Sequence, residues 1–206
     1  MGLNSLSNSS VVYAKKLDIK CPEIMDIDDR PQIEAYGKLR ITKCPSIVRW
    51  KLTEVEQFIN LFPKLKPYLY KSALTKIMLL TPHVHTNEKT IINFYFSPGN
   101  EVTSFWDGDE YIRDDRLTID NGDTYYNVHA ANLDVKYRFI AQAGDVWILN
   151  TAKAHSLLPD ESFESNMKTS KFRDRQLINY NKKITRTAVQ LAFIQPIEEI
   201  LTILYG

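Results

Sequence analysis

Short runs rich in β-branched and aromatic residues, separated by turn residues, dominate the chain from residue 76 onward, and this pattern predicts β-strands. The runs are IMLL, IINFYF, VTSFW, TYYNV, VKYRFIA, DVWILN and TAVQLAFI. The turn-forming sequences SPGN, DGDE, DNGD and AGD lie between them. Seven or eight short strands in succession indicate a sandwich, jelly roll or barrel.

The first third of the chain has a different pattern. Prolines interrupt its apolar runs up to residue 50, so we expect edge strands or loops packed onto a core there. Thr53 and Glu56 have the spacing of a capping box, and the apolar spacing after them predicts a helix that ends at Pro63. A second short helix is expected at 67–74, and the tail EEILTILY predicts a last helix.

These patterns predict one domain over residues 1–206. Residues 1–75 form a helical and irregular flank, and residues 76–196 form the β core.

Composition excludes several classes of partner. The chain has 26 basic and 25 acidic residues, a net charge of +1 and no basic stripe, so no nucleic-acid partner is expected. No apolar run is long enough to cross a bilayer, and the polar start MGLNSLSNSS does not resemble a signal peptide. Cys21 and Cys44 lack CxxC spacing, which favours a reducing interior. We therefore expect a cytoplasmic protein without a membrane partner.

Three of the four histidines have spacings that suit a metal site. His83 and His85 form a His-x-His pair, and alternate residues of a strand point to the same face. His155 follows the strand DVWILN after a short loop, where a third ligand can complete a facial triad. The alternative for the pair is two core histidines that bond to backbone carbonyls.

The last predicted strand, ITRTAVQLAFI, has two unlike faces. Val189, Leu191 and Phe193 form an apolar face that we expect under helices, whereas the other face carries Arg186, Ala188, Gln190 and Ala192. Small side chains beside an inward-facing Arg186 leave room for a ligand, and a guanidinium group suits a carboxylate. The alternative is a surface arginine on a strand that faces solvent.

Other residues are candidates for the lining of the same pocket. Asn93 and Tyr95 share one face of IINFYF and could contact a ligand, although a buried tyrosine is equally ordinary in a core. Trp106, at the end of VTSFW, is a candidate for the substrate pocket together with Gln190.

The order of these motifs resembles that of the iron(II)- and 2-oxoglutarate-dependent oxygenases, in particular the aspartyl/asparaginyl β-hydroxylase-like branch with its small phage and bacterial versions. The resemblance covers residues 76–196, and AGDVWILNTAKAHS is its most specific part. It implies a mainly β fold, a double-stranded β-helix (a cupin-like jelly roll) preceded by N-terminal helices. By position, His155 resembles the distal iron ligand and Arg186 resembles the arginine that binds the 2-oxoglutarate carboxylate. The separation of these two residues is longer than the resemblance implies, so segment 160–183 is expected to be an insert before the last core strand, at the mouth of the core or on its surface.

The chain departs from the family at the first ligand motif, where a His-x-Asp sequence is usual. If His83 is the first ligand, the next position holds His85, and with His155 the site has three histidines. If His85 is the first ligand, Asn87 replaces the carboxylate, and His83 has no role. Coordination chemistry favours the three histidines, because an amide is a poor ligand. Glu88 is a further possible ligand, but on a strand it would point away from His85.

The resemblance implies an enzyme that uses iron(II), 2-oxoglutarate and O2 to hydroxylate an amino-acid side chain in a peptide or protein, or a small metabolite. If the chain is encoded by a phage, its site of action is the host cytoplasm. Two alternatives stay open. One is a metal cupin with chemistry that does not use 2-oxoglutarate, and the other is a jelly roll retained for structure or interaction without catalysis.

Overall fold

Two antiparallel β-sheets lie face to face and form a jelly roll, as the strand pattern predicts. The structure is a computed structural model that describes residues 11–24, 32–38, 45–50, 52, 54–77, 80–97, 101–108, 113–118, 124–128, 130–158, 161–168 and 186–206. Among these, no helix is long and apolar enough to span a membrane.

Within the described residues, the larger sheet has seven strands. Their spatial order is β1 (Ala14–Leu17), β11 (Val146–Asn150), β6 (Thr90–Tyr95), β13 (Arg186–Phe193), β4 (Leu69–Ile77), β3 (Pro45–Trp50) and β2 (Gln32–Lys38). The two strands at its edges, β1 and β2, come from the first third of the chain, where edge strands are expected.

The smaller sheet packs against the inner face of the larger one and has six strands in the part of the chain that the structure describes. Their spatial order is β10 (Asp134–Ile140), β7 (Val102–Asp107), β12 (Ala154–Leu158), β5 (Leu80–His85), β9 (Thr124–Val128) and β8 (Arg113–Thr118).

A helical layer covers the outer face of the larger sheet. It consists of helix α1 (Val55–Ile59), a 3₁₀ helix (Pro63–Tyr68) and the C-terminal helix α3 (Ile197–Tyr205). Phe94 of β6 is fully buried in this layer, with its ring centroid 4.9 Å from that of Phe58 and 6.0 Å from that of Phe62. These contacts anchor the layer to the sheet.

Alternation along β6 and β13 assigns their side chains to two compartments. Ile92, Phe94, Val189, Leu191 and Phe193 belong to the core under the helical layer. Their neighbours in sequence point between the sheets and line a pocket there: Ile91, Asn93, Tyr95, Arg186, Ala188 and Gln190. The two faces predicted for the last strand are therefore confirmed.

The N-terminal flank differs in part from what the sequence predicts. The prediction of a helix at 67–74 is wrong, because β4 begins at Leu69 and pairs with both β13 and β3. Helix α1 begins where a helix is expected, but its N-cap residue is Glu54, and Thr53 lies outside the described residues. Of the insert 160–183, the structure describes residues 161–168, which include helix α2 (Ser162–Met167).

Candidate metal centre

Three histidines converge on the inner face of the smaller sheet. His83 and His85 lie on β5, and His155 on β12 pairs directly with His83. One ring nitrogen of each residue lies within 4.8 Å of those of the other two. The ring centroids are 4.3 Å apart for His83 and His155, 5.1 Å for His85 and His155, and 5.3 Å for His83 and His85. Three imidazoles at these separations can bind one ion.

The outer nitrogen of each ring is held by a hydrogen-bond acceptor. Nδ1 of His83 lies 2.7 Å from the carbonyl oxygen of Thr81, and Nδ1 of His155 lies 2.9 Å from that of Lys153. Nδ1 of His85 lies 3.0 Å from Oε2 of Glu88. A carbonyl or carboxylate oxygen only accepts, so each Nδ1 carries the proton and donates. The lone pair of each ring is then on Nε2, the tautomer that metal-binding histidines use.

Burial keeps two of these rings neutral. Loss of hydration lowers the pKa of His83 from 6.5 to about 4, and the hydrogen bond to Thr81 opposes this only in part. Burial, followed by the proximity of His83 and His85, holds the pKa of His155 well below its usual value. A neutral imidazole is the form that binds a metal, so both rings are in the ligand state at neutral pH.

A pocket extends from the histidines between the two sheets. The space between its walls, counted together with the open solvent at its mouth, is about 630 Å³. Its polar lining includes His85, Asn93, Tyr95, Thr103, Thr151, His155, Arg186 and Gln190. Its apolar lining includes Leu80, Ile91, Leu149, Leu157 and Ala188. A mostly apolar cleft with a few convergent polar groups is typical of a small-molecule site.

Arg186 lies in the wall of this pocket and is buried. Its Nη1 donates to Oγ1 of Thr103 at 2.8 Å, and its Nη2 makes a long bond of 3.4 Å to the carbonyl oxygen of Glu101. Its Cζ lies 4.6 Å from the centroid of the Tyr95 ring. A guanidinium group has five N–H donors, so these contacts fix its plane and leave donors for a ligand.

Asn93 and Tyr95 also line the pocket, as the alternation along β6 predicts. Nδ2 of Asn93 donates to Oη of Tyr95 at 2.9 Å, and Oδ1 of Asn93 is buried without a hydrogen-bond partner. Burial raises the pKa of Tyr95, so its hydroxyl keeps its proton and can donate to a ligand. Gln190 pairs with Asn93 across the sheet and is only half-buried in the same wall.

Two of the residues named from sequence lie elsewhere. Trp106 is fully buried on the outer face of the smaller sheet, where it packs with Val84 and Leu133, and its Nε1 donates to Oγ of Ser156 at 2.9 Å. On β7, Thr103 and Phe105 face the pocket side, so the alternation turns Trp106 away from it. Asn87 is exposed in the bend after β5.

Two buried carboxylates lie near the site: Glu88, which the sequence offers as a possible ligand but places on the wrong face, and Glu101, which the sequence analysis does not single out. Glu88 contacts His85 from outside the triad, because the chain bends after His85 and strand parity no longer applies. Glu101 is 1% exposed, and both oxygens of its carboxylate lack a hydrogen-bond partner. The spacing of three residues between His85 and Glu88 was the available signal for the first, whereas the second carries no recognisable motif.

No family model matches this chain, and no curated protein matches it. Comparison with solved structures matched seven chains. One is the crystal structure of the Escherichia coli ribosomal oxygenase YcfD, with 6% identity, a TM-score of 0.40 and coverage of 76% of this chain and 34% of that chain. An X-ray structure of E. coli YcfD has 8% identity, a TM-score of 0.42 and coverage of 76% and 35%. This chain therefore spans about a third of the length of those chains.

Proposed function

We propose that the protein is an iron(II)- and 2-oxoglutarate-dependent oxygenase that hydroxylates an amino-acid side chain in a peptide or protein, or a small metabolite. The observation that carries this proposal is that one pocket contains both a cluster of metal-binding side chains and a buried arginine. Three histidines lie close together, two of them (His85 and His155) in the wall of the pocket, and the buried Arg186 lines the same pocket.

The donor set fits a first-row transition metal. Imidazole nitrogen suits iron, zinc, copper and nickel, and His83, His85 and His155 would hold the ion. Three neutral donors place no negative charge in direct contact with the bound ion. Such a centre favours an anionic bidentate ligand, and 2-oxoglutarate provides one.

The position of Arg186 fits the far carboxylate of that ligand. Thr103, which accepts from Arg186, pairs with Leu157, two residues along β12 from His155. Two residues of a strand span roughly 7 Å. This matches the length of a five-carbon dicarboxylate, so one end can reach the metal while the other end meets the guanidinium group.

The bound metal would supply activation of O2 coupled to oxidative decarboxylation of 2-oxoglutarate. The chain's own residues supply the surroundings. Arg186 and the Tyr95 hydroxyl orient the co-substrate, and the side chains of Ile91, Leu149 and Leu157 limit the access of water. Nδ1 of each histidine keeps its proton on its own acceptor, so each Nε2 stays a lone-pair donor.

The test is an anaerobic titration of the metal-free protein with iron(II) and 2-oxoglutarate, followed by the visible charge-transfer absorption of the chelate. We expect a band that requires both additions and is lost in His155→Ala. The matched control is His129→Ala, because His129 is the one histidine to which the sequence gives no role, and it should leave the band unchanged.

Other results would support the alternatives. Tight metal binding without a band, and without added thermal stability from 2-oxoglutarate, would indicate a metal cupin with different chemistry. Wild-type protein that does not bind iron(II), cobalt(II) or zinc(II) would leave a jelly roll without a metal site, and the proposal would be abandoned.

A further inference from the structure

The three-histidine site differs from the family pattern by one negative charge. The usual triad contains a carboxylate ligand, whereas His83, His85 and His155 are all neutral donors. A buried carboxylate nevertheless lies against the triad. Oε2 of Glu88 is 3.0 Å from Nδ1 of His85, and the Glu88 side chain is only 5% exposed.

We propose that Glu88 is a positioning residue that supplies the missing negative charge to the metal centre through His85. This inference rests on the metal site proposed above. Glu88 contacts the ring nitrogen that faces away from the other histidines, so it acts through the imidazole and is not itself a ligand. A carboxylate that accepts from Nδ1–H makes Nε2 a stronger donor and fixes the plane of the ring.

The backbone around Glu88 is tied down, which makes this contact part of the fold. The hydroxyl of Thr151 donates to the carbonyl oxygen of Glu88 at 2.5 Å. The backbone N–H of Lys89 donates to Phe193, and the carbonyl oxygen of Lys89 accepts from the N–H of Thr151. The backbone at Glu88 is therefore held between the end of β11 and the end of β13, and its carboxylate cannot easily leave His85.

Lys71 compensates the charge of Glu88 from the other side. Its Nζ lies 3.9 Å from Oε1 of Glu88, and its side chain is 23% exposed. A buried carboxylate is costly unless it is paired, and the ammonium group meets that need without approaching His85. A chain of alternating donors and acceptors thus runs from the metal centre toward solvent, through His85, Glu88 and Lys71.

The energetic argument concerns the charge as well as the hydrogen bond. A negative charge close to a divalent cation stabilises it more in a buried site than at the surface, because water screens less. An amide in place of the carboxylate can still accept a hydrogen bond from Nδ1, but it lacks the charge. Glu88→Gln therefore separates the two contributions, and Glu88→Ala removes both.

The experiment measures the affinity of the metal-free protein for cobalt(II), with competition by a chelator, and the visible d–d absorption of the bound ion. We expect Glu88→Gln to raise the Kd about tenfold and to shift the d–d band, and Glu88→Ala to raise the Kd about 100-fold. Lys71→Met should change the Kd less than Glu88→Gln does.

The matched control is Glu164→Gln. Glu164 is also a buried carboxylate, but it bonds to Ser104 and Arg138 on the outer face of the smaller sheet. The Glu164→Gln substitution should alter thermal stability without changing cobalt(II) affinity or the d–d band. Circular dichroism of each metal-free variant checks that the fold is retained.

Each result bears on one of the two proposals. Wild-type protein that binds no cobalt(II) would overturn the metal site and this inference with it. Wild-type binding that is unchanged in both Glu88 variants would overturn the inference alone. Weak binding in Glu88→Ala with wild-type binding and spectrum in Glu88→Gln would overturn the role of the charge.

Discussion

His83 and His155 lie directly opposite each other on neighbouring antiparallel strands, with their ring centroids 4.3 Å apart. Cross-strand pairs of this kind have their Cβ atoms about 5 Å apart, so the register of the sheet alone brings the two rings together. His85 joins them because it lies two residues along β5, on the same face. The triad is therefore a product of strand pairing and alternation.

The stability of the metal-free protein should fall as the pH is lowered through the range of these histidines. In the unfolded chain His83 has a pKa near 6.5, and in the fold its pKa is about 4. Between these values the unfolded state binds more protons, so the free energy of unfolding decreases as the pH falls from 6.5 to 4. For His83 alone the loss is at most roughly 3 kcal/mol.

The measurement is urea unfolding of chelator-treated protein at several values between pH 4 and pH 7.5. His83→Asn is the comparison, because an asparagine amide can still donate to Thr81 but does not titrate. We expect a shallower dependence on pH for this variant. Equal dependence in the two proteins would show that His83 is charged in the fold.

Replacement of Arg186 should weaken binding of 2-oxoglutarate. Loss of charge-assisted hydrogen bonds worth about 1.5–3 kcal/mol corresponds to a Kd about 10–100-fold higher in Arg186→Met. Arg186→Lys keeps the charge but not the planar fork, so an intermediate effect is expected. Isothermal titration of the metal-loaded protein measures both, with Arg138→Lys as the control because Arg138 pairs with Glu161 and Glu164 outside the pocket. Equal affinities would place the co-substrate elsewhere.

Trp106→Phe should reduce stability without affecting the metal centre. The substitution removes the hydrogen bond from Nε1 to Ser156 and shrinks a fully buried side chain, at a cost of about 1–2 kcal/mol. A protein of this size should lose several degrees in Tm. Thermal unfolding and cobalt(II) titration test the two halves of the prediction. A higher Kd for the metal would indicate that Trp106 reaches the pocket side after all.

Phe94→Ala should be among the more damaging core substitutions. Phe94 is fully buried and joins the larger sheet to Phe58 and Phe62 in the helical layer, so a loss of about 3–5 kcal/mol is expected. Tyr70→Ala is the control, because Tyr70 is 46% exposed and its loss should cost about 0.5 kcal/mol or less. Urea unfolding compares the two, and similar values would contradict the proposed role of the helical layer.

The parts of the fold that local periodicity determines could be predicted from sequence. Alternation along β13 separates Arg186 and Gln190 from Val189 and Leu191, and the structure gives the same two faces. Strand β4 could not be predicted, since nothing in LYKSALTKI excludes a helix. Its conformation is decided by pairing with β13 and β3, which are distant in sequence.

The environment of the candidate site depends on contacts that no local pattern reports. Glu88 reaches His85 because the chain bends at residues 86 and 87, which cancels the strand parity used to exclude it. Trp106 occupies the outer face because its neighbour Phe105 stacks on His155 on the inner one. In both cases one residue more or less along the strand decides whether a side chain faces the pocket or points away from it.

If the three histidines bind a metal, as proposed, the direct pairing of His83 with His155 ties metal affinity to the register of the two strands. A slip of β5 by one residue against β12 would turn His83 and His85 to the outer face and bring Val84 inward, so the ion would lose two of its three ligands. We therefore expect a molecule with the slipped register to bind cobalt(II) more weakly than the native form, by the same titration in solution.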